Sequence, residues 1–308
     1  MTNHYNRKGE WLEWILPDTA RDTGGSDSTD GSARPYTPEK ALELFAATHP
    51  VPRRLGAQWL KEGGVLVKGR RLLIRMFPEE LPGVDPEWHD LDILYEDDFC
   101  LVVHKPAGMP VHPHSEGQHG TLAHAVASHY EQTGQRCRIR HIHRLDADTT
   151  GPVLYAKNEY AHLLLDEAMR NRQIRRSYLA IVEGVIPSSQ GRIDAPIGRD
   201  RHVTGKMRVS PTGIPARTRY EAVGRANDHT LIRAELETGR THQIRVHFSH
   251  LGHPLAGDKL YGGSTRLIDR QALHGERLVF VHPFTNEQVT VTDPLPPELA
   301  SLWETLRL

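Results

Sequence analysis

The stretch that best indicates the fold of this chain is His143-Arg144-Leu145-Asp146-Ala147-Asp148-Thr149-Thr150-Gly151. Asp146 stands beside an arginine, at the head of a turn-rich run that leads into an apolar segment. Asp148 lies deeper in the turn and is the better candidate for capping it. A lone match of this kind is weak evidence, because His, Arg and Asp often meet in surface turns. Two further segments support Asp146 as a candidate catalytic residue.

The two segments lie on either side of this stretch. Upstream, residues 93–112 predict two short apolar strands joined by an acidic turn and closed by a loop rich in Pro and Gly. Downstream, Thr238-Gly239-Arg240-Thr241-His242-Gln243-Ile244-Arg245 is followed by Gly257-Asp258-Lys259-Leu260-Tyr261-Gly262. In this order the three segments resemble the RluA-type pseudouridine synthases, over about residues 88 to 293. Each segment alone is unspecific, and the combination is specific.

The resemblance implies a reaction and four site residues. Pseudouridine synthases break the C1′–N1 bond of a uridine in RNA, turn the detached uracil and join its C5 to C1′. Asp146 matches the catalytic aspartate, and Arg245 matches the arginine that pairs with it. Tyr178 resembles the tyrosine that lies against the target base, and Arg144 the arginine that occupies the space left by an extruded nucleotide. The chemistry needs a carboxylate, a cation that keeps it charged, a stacking surface and exclusion of water.

Each of these residues has a structural alternative. Asp146 could cap a turn, and Arg245 could be an ordinary strand arginine bound to a surface acid. Tyr178 could pack in a core strand, and Arg144 could form a fixed salt bridge that shapes its loop. The sequence alone leaves these alternatives open.

Charge is segregated along the chain, so the net charge of -1 does not exclude an RNA-binding protein. Residues 53–75 carry seven basic side chains and one acid, whereas residues 79–98 carry nine acids and no Lys or Arg. Further basic groups flank the motif segments. The residues expected to contact RNA are Arg53, Arg54, Lys61, Lys68, Arg138, Arg140, Arg172, Arg175 and Arg240. A solvated basic face is the alternative for each group.

Three regions are predicted. Residues 1–35 hold a short strand near Trp11 and a flexible linker rich in Gly, Ser and Asp, whose composition cannot offset its ordering entropy. Residues 36–85 predict a helix from Thr37, a second helix from Arg53, a Gly63-Gly64 turn and a strand. This order resembles the S4 RNA-binding module, with an unspecialised helical lid as the alternative. Residues 86–308 form the predicted catalytic domain.

The strands predicted in the catalytic domain are unevenly spaced around a few helices. A strand at residues 151–157, a helix at 159–172 and a strand at 177–184 are followed by strands near 216–223, 230–237, 277–281 and 287–292. This pattern predicts an α+β fold with a largely antiparallel sheet, as the resemblance also implies.

The remaining features indicate the class of protein. No apolar run is long enough for a membrane span, and no signal peptide is evident. The two cysteines, Cys100 and Cys137, suit reduced thiols, so we expect a cytoplasmic protein. We also expect a monomer that acts on structured ribosomal or transfer RNA without a cofactor, a metal or a membrane partner.

Two other functions remain as alternatives. The 20 histidines could indicate a metal-dependent hydrolase, because two histidines separated by one residue lie on the same face of a strand. The zinc-binding motif HExxH is absent from the sequence. The histidines in question are His112, His114, His141, His143, His242, His247, His250 and His253. The second alternative is a non-catalytic RNA-binding protein with a decayed synthase domain, against which the presence of Asp146, Tyr178 and Arg245 together speaks.

Overall fold

The computed structural model describes residues 5–17 and 36–308. The residues predicted to form the flexible linker lie almost entirely outside these ranges. Within the described ranges, no helix combines the length and the apolar character that crossing a membrane requires.

The N-terminal part consists of two helices and a four-stranded antiparallel sheet. The helices are α1 (Pro38–Ala46) and α2 (Arg53–Lys61), and α1 begins as predicted, because the Thr37 side chain accepts a hydrogen bond from the Lys40 amide. The sheet order is β1-β2-β4-β3, with the strands β1 (Asn6–Lys8), β2 (Trp11–Ile15), β3 (Val65–Lys68) and β4 (Arg71–Ile74). The predicted order of helix, helix, glycine turn and strand is present, and its assignment as an S4 module stays a prediction.

The C-terminal part contains three sheets and four helices. Its strands are β5 (Ile93–Glu96), β6 (Cys100–Lys105), β7 (Gly151–Ala156), β8 (Arg175–Glu183), β9 (Gln190–Asp194), β10 (Ile197–Arg199), β11 (Met207–Val209), β12 (Arg217–Arg225), β13 (His229–Leu236), β14 (Leu273–Val281) and β15 (Gln288–Thr292). Its helices are α3 (Leu122–Gln132), α4 (Glu159–Arg170), α5 (Gln243–His250) and α6 (Pro297–Arg307), with one 3-10 turn at Lys259–Tyr261.

The strands pair almost entirely in the antiparallel sense. The largest sheet has the order β15-β14-β8-β13-β12-β9, a second has the order β5-β6-β7, and β10 pairs with β11. Every pairing between these strands is antiparallel. The predicted α+β class with a largely antiparallel sheet is therefore confirmed.

The two larger sheets meet where β7 passes β14. Thr150 forms an isolated parallel bridge with His274, and its side chain lies 2.9 Å from His274 Nδ1. Gly151 has φ 134°, and a Cβ atom there would lie 2.7 Å from the Gly275 backbone. Only glycine fits this approach. The junction fixes the start of β7 and with it the end of the loop that contains Asp146.

One hydrophobic core joins the N-terminal part to the rest of the chain. Phe45 and Trp59, from α1 and α2, belong to the same cluster as Tyr160, Phe280 and Phe284. The His49 ring packs against both Phe45 and Phe284, with each ring centroid 4.5 Å away. The two parts therefore pack against each other without a solvent layer, and the predicted boundary at residue 85 crosses a shared core.

Replacing Gly151 tests the junction between the sheets. We expect Gly151→Ala to lower the free energy of unfolding by more than about 3 kcal/mol, because it adds a backbone clash to an unfavourable φ. Gly134→Ala is the matched control, since Gly134 has φ 67° and open space around its Cα; it should cost only about 1 kcal/mol. Chemical denaturation measures both, and equal losses would contradict the close approach.

Candidate active site

One cavity of about 960 Å³ brings the three motif segments together. Its walls come from the Pro110–His114 loop, the residues from His141 to Thr149, the beginning of β8, and the segment from Leu236 to Arg245. Asp146, Tyr178, Arg144 and Arg245 all line it, although they come from distant parts of the sequence. The structure thus gathers the four residues that the resemblance selected.

Arg245 lies between two carboxylates. Its Nη1 donates to Asp146 Oδ2 at 2.9 Å, and its Nε and Nη2 donate to the two oxygens of Asp258 at 2.7 and 2.9 Å. The side chains of Arg245 and Asp258 are 8% and 1% exposed, whereas that of Asp146 is 25% exposed. Burial lowers the pKa of Arg245, but the Asp258 hydrogen bonds and the two negative charges raise it more, so the net pKa is raised. The arginine therefore stays charged, and one of its two carboxylates remains accessible from the cavity.

Arg245 is not the ordinary strand arginine, bound to a surface acid, that the sequence left open as an alternative. The residue lies on α5 and is buried. Gln243, the first residue of α5, holds the preceding loop: its Oε1 accepts from the Thr238 hydroxyl and the Arg240 amide, and its Nε2 donates to the Arg217 carbonyl. These bonds set the direction in which α5 enters the cavity wall.

Tyr261 and His242 complete the surroundings of the Arg245 guanidinium. The guanidinium carbon lies 5.0 Å from the centroid of the Tyr261 ring, and the Tyr261 hydroxyl lies 2.8 Å from His242 Nδ1. His242 Nε2 is 3.9 Å from Asp146 Oδ2. Burial lowers the pKa of His242 and raises the pKa of Tyr261 to about 12, so both side chains are neutral at pH 7. The only formal charges in this group at pH 7 are then those of Arg245 and its two carboxylates.

Tyr178 lies on β8, in the wall shared with Arg176. Its side chain is buried, and burial raises its pKa, so the phenol stays protonated. Its ring belongs both to the core cluster beneath β8 and to the cavity lining. The packing alternative and the predicted stacking role are therefore compatible, because the same ring both packs in the core and lines the cavity.

The loop that contains Asp146 is held from behind by two buried cations. The Lys105 ammonium donates three hydrogen bonds, to the carbonyl oxygens of Pro106 (2.6 Å), Met109 (2.8 Å) and Ala147 (2.6 Å). Arg270 donates to the Asp148 carbonyl at 2.9 Å and pairs with Glu298. Burial lowers the pKa of Lys105 to about 7, while the charges of Asp148 and Asp146 oppose that shift. The two backbone carbonyls that directly follow Asp146 in the loop are thus anchored.

Sequence reasoning missed four of these supporting residues. Asp258 and Tyr261 stand in a quoted motif, and Lys105 stands in the Lys-Pro-Ala-Gly run, yet none was assigned a role. Asp258 could have been predicted as a partner of Arg245, because a buried arginine needs hydrogen-bond acceptors for more than one edge of its guanidinium. For Arg270 we find no signal in the sequence, since its partners come from the distant residues Asp148 and Glu298.

The basic residues expected to contact RNA are scattered. Arg144, Arg172 and Arg240 line the cavity with the further cations Arg170 and Arg176. The remaining exposed ones lie on α2 and at strand ends or in loops: Arg53, Arg54, Lys61, Lys68, Arg138 and Arg175.

Arg140 departs from the expectation that it contacts phosphate. Its side chain is only 6% exposed and pairs with Glu80 at 2.7 Å and Glu159 at 3.2 Å. Both acids bind it from neighbouring segments, so its guanidinium is already neutralised. We correct that assignment: Arg140 links the acidic segment before β5 to α4.

The chain matches known proteins over most of its length. The family model of RNA pseudouridylate synthases matches residues 99–250. The uncharacterised RNA pseudouridine synthase YhcT of Bacillus subtilis is 45% identical over 243 residues, which cover 78% of this chain and 80% of the relative. The ribosomal large subunit pseudouridine synthase D of Vibrio vulnificus is 40% identical over 292 residues, covering 86% and 89%. The chain belongs to the RluA-type RNA pseudouridine synthases.

A solved structure agrees with this assignment. Human RNA pseudouridylate synthase domain containing 1 superposes with a TM-score of 0.59 at 27% identity, covering 71% of this chain and 90% of the human one. The predicted family and the predicted enzyme class, an isomerase that acts on RNA, are therefore confirmed. The synthase domain also matches the predicted fold class.

The two carboxylates of this synthase differ in what they contribute to stability. We expect Asp258→Asn to lower the free energy of unfolding by about 3 kcal/mol or more, because it leaves the buried Arg245 without its bidentate partner. Asp146→Asn should cost about 1 kcal/mol or less, since Arg245 keeps Asp258 and Asp146 is partly solvated. Urea denaturation compares the two isosteric variants, and a larger loss for Asp146→Asn would contradict this ranking.

Proposed function

We propose that this RNA pseudouridine synthase uses Asp146 as its nucleophile or base, with Arg245 as the counter-ion that keeps the carboxylate charged and oriented. The observation that carries the proposal is the 2.9 Å hydrogen bond between the two side chains, at the wall of a cavity large enough for a nucleotide. A charge-assisted hydrogen bond of this length restricts the rotamer of the carboxylate and holds it at the cavity wall. Asp258 in turn fixes Arg245, so the pair is preorganised before RNA binds.

Tyr178 and Arg144 complete the proposed reaction site. The Tyr178 ring holds the uracil by stacking, which leaves the base free to turn within its own plane after the glycosidic bond breaks. Arg144 is exposed at the mouth of the cavity and fills the gap that the extruded uridine leaves in the RNA stack. Burial of Arg245 and Tyr178 keeps water away from the ribose C1′ after the C1′–N1 bond breaks, so that C1′ bonds to C5 of the uracil rather than to water.

The proposed substrate is a structured RNA, either ribosomal or transfer RNA. The printed name of the Vibrio vulnificus relative refers to the large ribosomal subunit, which makes ribosomal RNA the first substrate to test. Mapping of pseudouridine across cellular RNA, in cells with and without this gene, identifies the site. Loss of at least one ribosomal or transfer RNA site is expected, and an unchanged map would contradict the proposal.

Replacing Asp146 separates catalysis from RNA binding. We expect Asp146→Asn to form pseudouridine at less than about a thousandth of the wild-type rate while binding the same RNA within a few-fold of wild type. Asp148→Asn is the matched control, because it removes an exposed carboxylate from the same loop and should leave the rate within a few-fold. Single-turnover conversion and fluorescence anisotropy measure the two quantities. Unchanged conversion by Asp146→Asn would support a different catalytic group or the non-catalytic alternative.

We further propose that residues 36–85 form an RNA-binding module whose basic side chains contact phosphates. Arg53, Arg54 and Lys61 are exposed on α2, and Lys68 is exposed at the end of β3. The shared core with Phe284 holds these side chains at a fixed distance from the cavity, so module and cavity bind one RNA together.

Salt dependence tests the module. We expect a variant with both Arg53→Gln and Arg54→Gln to bind RNA more weakly and to reduce the slope of log Kd against log salt by about 1 to 2, because each lost phosphate contact releases about one counterion less. Lys40→Gln, an exposed change on the neighbouring α1, is the control and should leave the slope unchanged. Equal slopes for both variants would reject phosphate contacts by α2.

A further inference from the structure

Three histidine rings form a continuous row along one wall of the cavity. The rings of His112 and His141 are stacked, with centroids 4.6 Å apart and an interplanar angle of 16°. His114 meets His112 edge to face, with centroids 5.1 Å apart and an angle of 62°. All three residues line the cavity together with Asp146 and Arg144. We call this row, His141, His112 and His114, the histidine platform.

The platform leads from the interior of the cavity to the surface. His112 and His141 are partly buried, whereas His114 is exposed. The rings come from the loop after β6 and from the segment before β7, which holds an isolated bridge between His141 and Tyr155. Tyr178, the proposed stacking partner of the target uracil, lies on β8 and belongs to another wall. The platform is therefore a separate aromatic surface beside the same opening.

The two stacked rings of the platform, His141 and His112, are uncharged at neutral pH. Burial, together with the neighbouring His112 and Arg144, lowers the pKa of His141 to about 4. Burial and the Arg144 charge also lower the pKa of His112. Uncharged imidazoles stack without mutual repulsion, and they offer an aromatic surface rather than a second cation for phosphate. The cations of the cavity, Arg144 among them, already serve that purpose.

A buried nitrogen of the platform has no partner. His112 Nδ1 is buried and makes no hydrogen bond within the described part of the chain. Such atoms are rare in folded proteins and call for an explanation, such as a group that arrives on binding. A nucleobase carries ring and exocyclic donors and acceptors at its edge, so one seated beside the platform supplies both a stacking face and a partner for this atom.

We propose that the histidine platform binds a nucleobase of the substrate RNA other than the target uridine, by stacking, and so helps to select the nucleotides around the modified site. This inference rests on the proposed function, because it takes RNA as the occupant of the cavity. Extrusion of the target uridine separates its neighbours from their stacking partner, and an aromatic row at the cavity mouth restores that contact for one of them.

The proposal is tested by measuring whether changes in the platform and the removal of single RNA bases have coupled effects on binding. The probe is a set of stem-loops of one RNA that the protein binds, each with one base near the target replaced by an abasic ribose. The proteins are wild type, His114→Ala, His141→Ala and the two corresponding Phe variants. Binding by fluorescence anisotropy and pseudouridine formation under kcat/KM conditions are measured for every combination, and thermal unfolding checks that each variant folds.

We expect one abasic position to weaken wild-type binding by about 10-fold, as the loss of one stacked base does. The same position should have little further effect on at least one of the two Ala variants, which already lack the contact, and the corresponding Phe variant should bind the intact RNA like wild type. If the abasic position weakens binding by the same factor in wild type and in both Ala variants, the two changes act independently and the proposal is overturned. Phe variants as weak as the Ala variants would also overturn it, because they would assign the contact to the imidazole nitrogens.

The two readouts separate this inference from the proposed function. Wild-type binding that shows the coupling without any pseudouridine formation supports the platform and rejects the catalytic proposal. Normal pseudouridine formation without coupling at any position rejects the platform and leaves the catalytic proposal intact.

Discussion

The buried guanidinium of Arg245 is the charge on which the rest of the site depends. It donates to two carboxylates, one of which, Asp258, is buried and binds it through two parallel hydrogen bonds. One buried carboxylate neutralises one buried cation, so the second carboxylate, Asp146, binds the remaining face without being needed for charge balance. Asp146 can therefore leave the arginine without stranding a buried charge, as its proposed role requires.

The position of Asp146 is set mainly through the backbone that follows it. Lys105 binds the carbonyl of Ala147, Arg270 binds the carbonyl of Asp148, and the contact between Gly151 and Gly275 fixes the end of the loop. These anchors use no atom of the Asp146 side chain. A loop held through its backbone can position the Asp146 carboxylate precisely and still leave the second carboxylate oxygen open to the cavity. A carboxylate fixed by many direct hydrogen bonds would have no such free oxygen.

Sequence patterns predicted the fold class and most strands, whereas the meeting of Asp146 with Arg245, which are 99 positions apart, was implied only by the family resemblance. They failed where a local pattern had two physical solutions. Ile244, Val246 and Phe248 alternate as in a strand, yet the segment is a helix buried on nearly all sides, and a helix without a polar face loses the usual periodicity. Arg140 looked like a phosphate ligand because its acids, Glu80 and Glu159, are remote in sequence. Long-range pairing of charges cannot be predicted from one sequence without contacts.

The distribution of charge explains how a chain with a net charge of -1 suits a polyanionic substrate. Acids of the acidic stretch at residues 79–98 form internal ion pairs, such as Glu80 with Arg140 and Glu96 with Lys157. The cavity lining, in contrast, holds more arginines than acids, beside the stacked rings of His112 and His141, whose lowered pKa values leave them uncharged at neutral pH. In our proposals phosphates meet the arginines and bases meet the aromatic rings, so that the two chemical parts of a nucleotide are bound by different walls of one cavity. A uniformly basic surface would attract RNA equally well but would offer no way to separate a base from its stack.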